Sequence, residues 1–255
     1  MEILTFTSPV HTDTFAQVIA SCPAGKAALG AGWAVKNTAN AVIPGMVTAF
    51  HNLQGGEQWM VNGRPRTLPA SWQLEVTVLC GVVPDYETVL VETAVNSTAL
   101  KTLTATCPTG KVVLGAGWGV LNSAGAFLTG EAFRSQPANT TGWLVEASNL
   151  STFAPTWKLR VLAICASTVN VPGYQQITAN SPLVTGTSQQ VSASCPASKR
   201  ALMGGYTALD AAGAVVPNAV ATSARFNGLG WISEMTVPTA TNFRVRSRLQ
   251  CATAN

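Results

Sequence analysis

Charge is what this sequence lacks most. Only 10% of its 255 residues are Asp, Glu, Lys or Arg, and there are 2 histidines and 3 tyrosines, whereas a typical globular chain carries about a quarter charged residues. The net charge of +4 arises from a shortage of acids, 11 against 15 Lys and Arg, without any basic run. The broad positive footprint of a nucleic-acid binder is therefore missing. Catalytic material is equally sparse, because His11 and His51 are the only histidines and the acids are scattered singly. A metal cage, a pair of poised carboxylates or a nucleophile with its base has little to draw on. His11 and Asp13 stand close in sequence, but alternate residues near a chain terminus read as an exposed loop or strand face rather than a dyad. Long apolar runs are absent too, and no stretch approaches the roughly 18 to 20 residues of a membrane-spanning helix. Short apolar segments broken by Gly, Pro, Asn and Ser have the texture of an all-β protein. These absences predict no enzyme, no cofactor or metal, no nucleic-acid partner and no membrane insertion.

Self-similarity is what the sequence has in abundance. "CPAGKAALGAGWAV" from Cys22 returns as "CPTGKVVLGAGWGV" from Cys107 and, more loosely, as "CPASKRALMGGYTAL" from Cys195. Aligned on these cysteines, Lys26, Lys111 and Lys199 coincide, as do the pairs Gly32-Trp33, Gly117-Trp118 and Gly205-Tyr206. A second tryptophan follows at Trp59, Trp143 and Trp231, and each copy closes on an alternating segment, "WQLEVTVLC", "WKLRVLAIC" or "FRVRSRLQC". Three copies of about 85 residues account for the chain, with boundaries at 1–81, 82–166 and 167–255. The joints repeat as well: Tyr86 and Tyr174 each precede the next copy's first cysteine by 21 residues, and the same count back from Cys22 reaches Met1. No charged and apolar leader precedes the first copy in this sequence. Either a leader has been removed or the protein reaches its destination without one.

Six cysteines in three equivalent pairs predict a disulfide within each copy, Cys22 with Cys80, Cys107 with Cys165 and Cys195 with Cys251. Zinc is disfavoured, since each copy offers two widely separated cysteines and the second and third contain no histidine. Disulfides point to an oxidising destination.

The opening motif reads as geometry. Pro23 and Gly25 suggest a type I turn with Pro second and Gly fourth, closing a hairpin between "FAQVIASC" and "KAALGAGWAV". Gly30 and Gly32, like Gly115 and Gly117, sit inside a strand pattern and mark bulges or close backbone approach beneath the rings of Trp33 and Trp118. A phosphate loop is a poor alternative, because "GAGWAV" lacks a third glycine and no helix follows.

Period-two alternation places Trp72, Leu74, Val76, Val78 and Cys80 on a buried face, and Trp157, Leu159, Val161, Ala163 and Cys165 on its counterpart. In the third copy the opposite face carries Arg244, Arg246 and Arg248, about 7 Å apart along a strand. That row suits sulfate, phosphate or acidic sugars, or simply a solvated edge. Further candidate ligand contacts are Arg64, Arg66, Arg134 and Arg225, in or near the variable segments "NLQGGEQWMVNGRPRTLPAS" from Asn52 and "EAFRSQPANTTG" from Glu131.

The pattern "CPxGKxxLGxGW…GWxV…WxLxVxxC" resembles repeat modules of secreted bacterial proteins, mostly of actinobacterial type, and of phage tail or fibre proteins. The central element stands as "GWLVEA" at Gly142 and "GWISEM" at Gly230, but as "QWMVNG" in the first copy; the third replaces its first and last tryptophans by Tyr206 and Phe243 and its turn glycine by Ser198. A further likeness is to the H-type lectins, small β-sandwiches that assemble as trimers, with no sugar-binding residue to carry over. These resemblances imply exposure and adhesion. The expected fold is all-β, three tandem β-sandwich-like repeats with pseudo-threefold packing. The expected function is non-enzymatic recognition at a cell or virion surface, with carbohydrate or a cell-surface receptor as partner. The alternative is a structural component of a phage virion or extracellular appendage, whose partners are its fellow subunits.

Overall fold

The computed structural model describes residues 1–52, 56–151, 153–216 and 218–253. It is an all-β protein whose strands form two antiparallel sheets, one of twelve strands and one of six. The first part of the chain contributes β1 (Glu2–Thr7), β2 (Ala16–Ser21), β3 (Ala27–Asn37), β4 (Val42–Ile43), β5 (Gly45–Asn52), β6 (Gln58–Pro65) and β7 (Trp72–Gly81). Next come β8 (Glu87–Glu92), β9 (Leu100–Thr106), β10 (Lys111–Leu121), β11 (Gly130–Pro137), β12 (Gly142–Asn149) and β13 (Lys158–Ser167). A 3-10 turn, Thr168–Asn170, then leads to β14 (Gln175–Asn180), β15 (Val184–Ser194), β16 (Lys199–Leu209), β17 (Val220–Asn227) and the long β18 (Gly230–Thr253). Among the described residues no helix is long and apolar enough to cross a membrane.

The closing segments are the centres of the ladders. β7 lies between β1 and β3, β13 between β8 and β10, and the C-terminal half of β18 between β14 and β16. Their alternating residues Trp72, Leu74, Val76, Val78, Leu159, Val161 and Phe243 are buried, as the period-two pattern predicts. Three disulfides join Cys22 to Cys80, Cys107 to Cys165 and Cys195 to Cys251, the connectivity that the internal repetition predicts.

The Cys-Pro turn differs from expectation. Lys26 N–H donates to the Pro23 carbonyl at 3.0 Å, so proline is first in the turn and Gly25, with φ +78°, is third, as a type II turn requires. The same bond recurs from Lys111 to Pro108 and from Lys199 to Pro196, with φ +86° at Gly110 and +70° at Ser198. Nor does the turn close a hairpin, since β2 pairs with β6 while β3 pairs with β7. The two strands flanking the turn belong to different ladders: β2 ends where Cys22 N–H donates to the Glu57 carbonyl, and β3 pairs along its length with β7 and, near its end, with β17 and β4.

That second edge explains the glycines. Strands from different sequence copies join through short ladders: Trp33 and Ala34 of β3 oppose Ala224 and Ser223 of β17, Trp118 and Gly119 of β10 oppose Phe50 and Ala49 of β5, and Tyr206 of β16 opposes Ser135 of β11. A β-carbon on Gly32 would stand 2.7 Å from Arg225 Cα, and one on Gly205 would stand 2.4 Å from Gln136 Cα. Gly30 and Gly115 face other partners, the carbonyl of Leu202 at 2.3 Å and that of Leu29 at 2.8 Å from the same imaginary atom. The close approach expected beneath the rings of Trp33 and Trp118 is thus an approach to backbone of another copy. Each of β3, β10 and β16 carries a bulge at the corresponding place, leaving Leu29, Leu114 and Leu202 out of register and fully buried. The joints are anchored as well: the Tyr174 hydroxyl donates to the Val113 carbonyl at 2.8 Å, and the Tyr86 ring covers Gly56.

Candidate functional site

A cleft of about 580 Å³ has walls from all three sequence copies. Arg66, just past β6, enters from one side; Glu131, Phe133 and Glu146 of β11 and β12 form the floor; Val215, Val216 and Val237 close it from the third copy. Glu131 has a side chain only 9% exposed and forms an ion pair with Arg66. Burial pushes the Glu131 carboxyl above its usual range, while Arg66, with help from Arg64, pulls the other way. Phe133 lines the cleft two residues after Glu131, at the point where the β11–β12 register shifts between Ala132 and Arg134. Carboxylate acceptors beside an apolar wall can take a ligand with both hydroxyls and C–H faces.

A second cleft, of about 260 Å³, lies where β6 of the first copy meets the segment before β11 of the second, lined by Phe15, Thr48, Asn62, Arg64 and Phe127. Arg64 is therefore a cleft residue. Arg225 on β17 is held instead by a short chain of side chains, donating to Ser223 Oγ, which donates to Glu234 Oε2 at 3.2 Å. Arg64, Arg134 and Arg225 all lie on strands, which corrects the expectation that variable loops would present them. Much of "EAFRSQPANTTG" is β11 itself. Within the other variable segment, residues 53–55 lie outside the described residues.

Four of the seven candidate arginines come together. Arg244, Arg246 and Arg248 share one face of β18, where Arg246 stands opposite Thr207 of β16 and Arg248 opposite Gly205. β16 in turn meets β11 at Tyr206 and Ser135, which brings Arg134 alongside Thr207. Arg248 donates to the Pro137 and Ala138 carbonyls at 2.9 and 3.3 Å, and Arg246 Nε donates to Asn180 Oδ1 at 3.0 Å. Desolvation, and then the charges of Arg248, Arg244 and Arg134, lower Arg246 from its ordinary value.

The two histidines pack on separate aromatics, His11 against Trp72 with ring centres 5.2 Å apart and His51 edge-on to Phe127 at 5.8 Å. His11 Nδ1 also approaches Asp13 Oδ1 at 3.2 Å, although the Asp13 side chain is 72% exposed. Among the described residues no group of three or more His, Cys, Asp and Glu is placed to hold a metal ion.

Sequence reading passed over Glu131 and Phe133, for a clear reason. The partner of Glu131 is 65 residues distant, and the walls that make a cleft of the face bearing Glu131 and Phe133 come from other copies. No protein-family model and no curated protein matches the chain.

Proposed function

We propose that this is a non-enzymatic surface-recognition protein, a lectin-like scaffold of three β-sandwich-like copies (1–81, 82–166 and 167–255) closed on one another with pseudo-threefold symmetry. The pairings β3 to β17, β10 to β5 and β16 to β11 support the closure, because each joins the same strand of one copy to the same strand of another in a cycle. The observation that carries the function is the 580 Å³ cleft, which exists only where three copies meet and sets Glu131 and Glu146 beside Phe133 and valine walls. Carbohydrate fits that mixture: carboxylates accept its hydroxyl protons, while apolar side chains cover its C–H faces. Three disulfides suit an oxidising destination, and exposure at a cell or virion surface belongs to the same reading.

The experiment is a glycan array and a whole-cell binding assay with the non-reduced protein, repeated with Glu146→Gln. Binding to one glycan class that weakens about tenfold in the variant, at unchanged melting temperature, sustains the reading. A blank array at high protein concentration, with a uniform large assembly by light scattering, assigns the chain to virion or appendage structure instead.

A further inference from the structure

Cationic side chains recur at the outward positions of the closing strands β13 and β18, and the two strands differ in whether acids face them. On β7 the outward positions are Gln73, Glu75 and Thr77, and Lys36 of β3 pairs with Glu75. On β13 Lys158 and Arg160 both grip Glu92 of β8, each at 2.6 Å. The corresponding residues of β18 are Arg244, Arg246 and Arg248, and Arg134 arrives from β11. Among the described residues none of these four has a carboxylate within ion-pair distance. Glu146 opposes Arg134 on β12 without pairing with it, and Glu131 is committed to Arg66.

Two further atoms on this face are desolvated and unsatisfied. Thr207, 1% exposed between Arg246 and Arg134, has no partner for its hydroxyl, and Arg244 Nε is buried with none. A buried polar atom without a hydrogen bond is costly, and four like charges on adjoining strands repel. A bound oxyanion removes both penalties at once: it accepts from the guanidinium forks and from Thr207 and neutralises the field.

We propose that the face formed by β18, β16 and β11 binds an anionic polysaccharide, its charged groups gripped by Arg134, Arg244 and Arg246, with Arg248 fixing the edge through the Pro137 and Ala138 carbonyls. The spacing of about 7 Å along β18, with Arg134 two strands away at about 10 Å, suits several charges on one chain better than a single small ion. The class of ligand rests on the reading of the protein as a glycan-binding scaffold; the anion chemistry rests on the arginines alone.

The test is surface plasmon resonance of the full chain on immobilised dextran sulfate, against neutral dextran, at about 0.15 M salt. Wild-type protein is expected to bind dextran sulfate and not dextran. Arg246→Gln and Arg134→Gln, on different strands, should each weaken binding about tenfold, and Arg246→Lys, which keeps the charge and loses the fork, about threefold. Arg160→Gln removes the same charge at the corresponding position of β13, where Glu92 already neutralises it, and should change binding less than about twofold. Melting temperatures of all variants establish that each is folded. No wild-type binding, equal losses for Arg160→Gln and Arg246→Gln, or tighter Arg246-dependent binding to single-stranded DNA would each overturn the proposal. If dextran sulfate fails while a neutral glycan still binds in a Glu146-dependent way, only this inference falls. Arg246-dependent binding of dextran sulfate by a protein blank to every neutral glycan sustains the anion site and removes the cleft reading.

Discussion

Met203 lies against Gly115: a β-carbon on that glycine would stand 2.8 Å from the methionine sulfur, and the neighbouring Ala116 N–H donates to the same sulfur at 3.2 Å. Gly30, Gly115 and Met203 occupy the same position of the three sequence copies, eight residues after the first cysteine. Where two copies leave out a side chain, the third inserts one that fills the space between them. Trp33, Trp118, Tyr206 and Trp231 surround the same place and leave a void of only about 10 Å³. A protein interior this dense tolerates neither a missing nor an added group.

Gly30→Ala should therefore be costly. Its new methyl would sit 2.3 Å from the Leu202 carbonyl oxygen, which is backbone and has a bulge to maintain. A loss of about 3 kcal/mol in urea unfolding is expected. A change below about 0.5 kcal/mol would mean that the copies are not in contact at this point.

Ser198→Gly should stabilise. Ser198 holds φ +70° where the other copies have Gly25 and Gly110, and an L-residue in the left-handed region costs about 1–2 kcal/mol. Part of that gain is offset by glycine's greater freedom in the unfolded chain, leaving about 0.5–1 kcal/mol. A thermal melt showing a fall in Tm would refute it.

Each disulfide closes a loop of 56 or 58 residues, for which loop-closure entropy gives about 4 kcal/mol of stabilisation. Replacing Cys107 and Cys165 together by alanine should lower stability by about that amount. Adding a reductant to the wild type should produce a larger drop, readable as loss of the tryptophan near-ultraviolet signal.

Arg66→Ala should destabilise in a pH-dependent manner. Burial raises the folded-state pKa of Glu131 above its unfolded value, so its contribution to stability is complete at acid pH and is lost as pH rises through the raised value. Without Arg66 that value climbs further, and the ionised carboxylate is left buried without its partner. The deficit should be small near about pH 4 and reach about 2 kcal/mol at neutral pH. A pH-independent deficit would show that Arg66 contributes only packing.

Short-range features could be read from the residues. The alternation in "WQLEVTVLC" revealed which side of β7 is buried, because side-chain direction in a strand has a fixed period of two. The spacing of the cysteines revealed the disulfides, because a repeated sequence repeats its staples. The hairpin reading of the Cys-Pro turn failed because nothing local says which strand a segment will pair with: β2 pairs with β6, some 40 residues further on, and β3 with β7. Likewise the row Arg244, Arg246 and Arg248 was visible in one strand, while Arg134 joins it only through the β16–β11 contact.

By itself, then, the sequence determined that the chain is all-β, where its buried faces lie and which cysteines pair, since each depends on residues close in the chain or on repetition. Only the tertiary structure decided which arginines face acids and which do not, why the glycines are needed, and that Arg66 meets Glu131 inside a cleft. Those depend on strands of different copies brought side by side, and the energy of a charge or a missing β-carbon is set by whatever stands next to it in space.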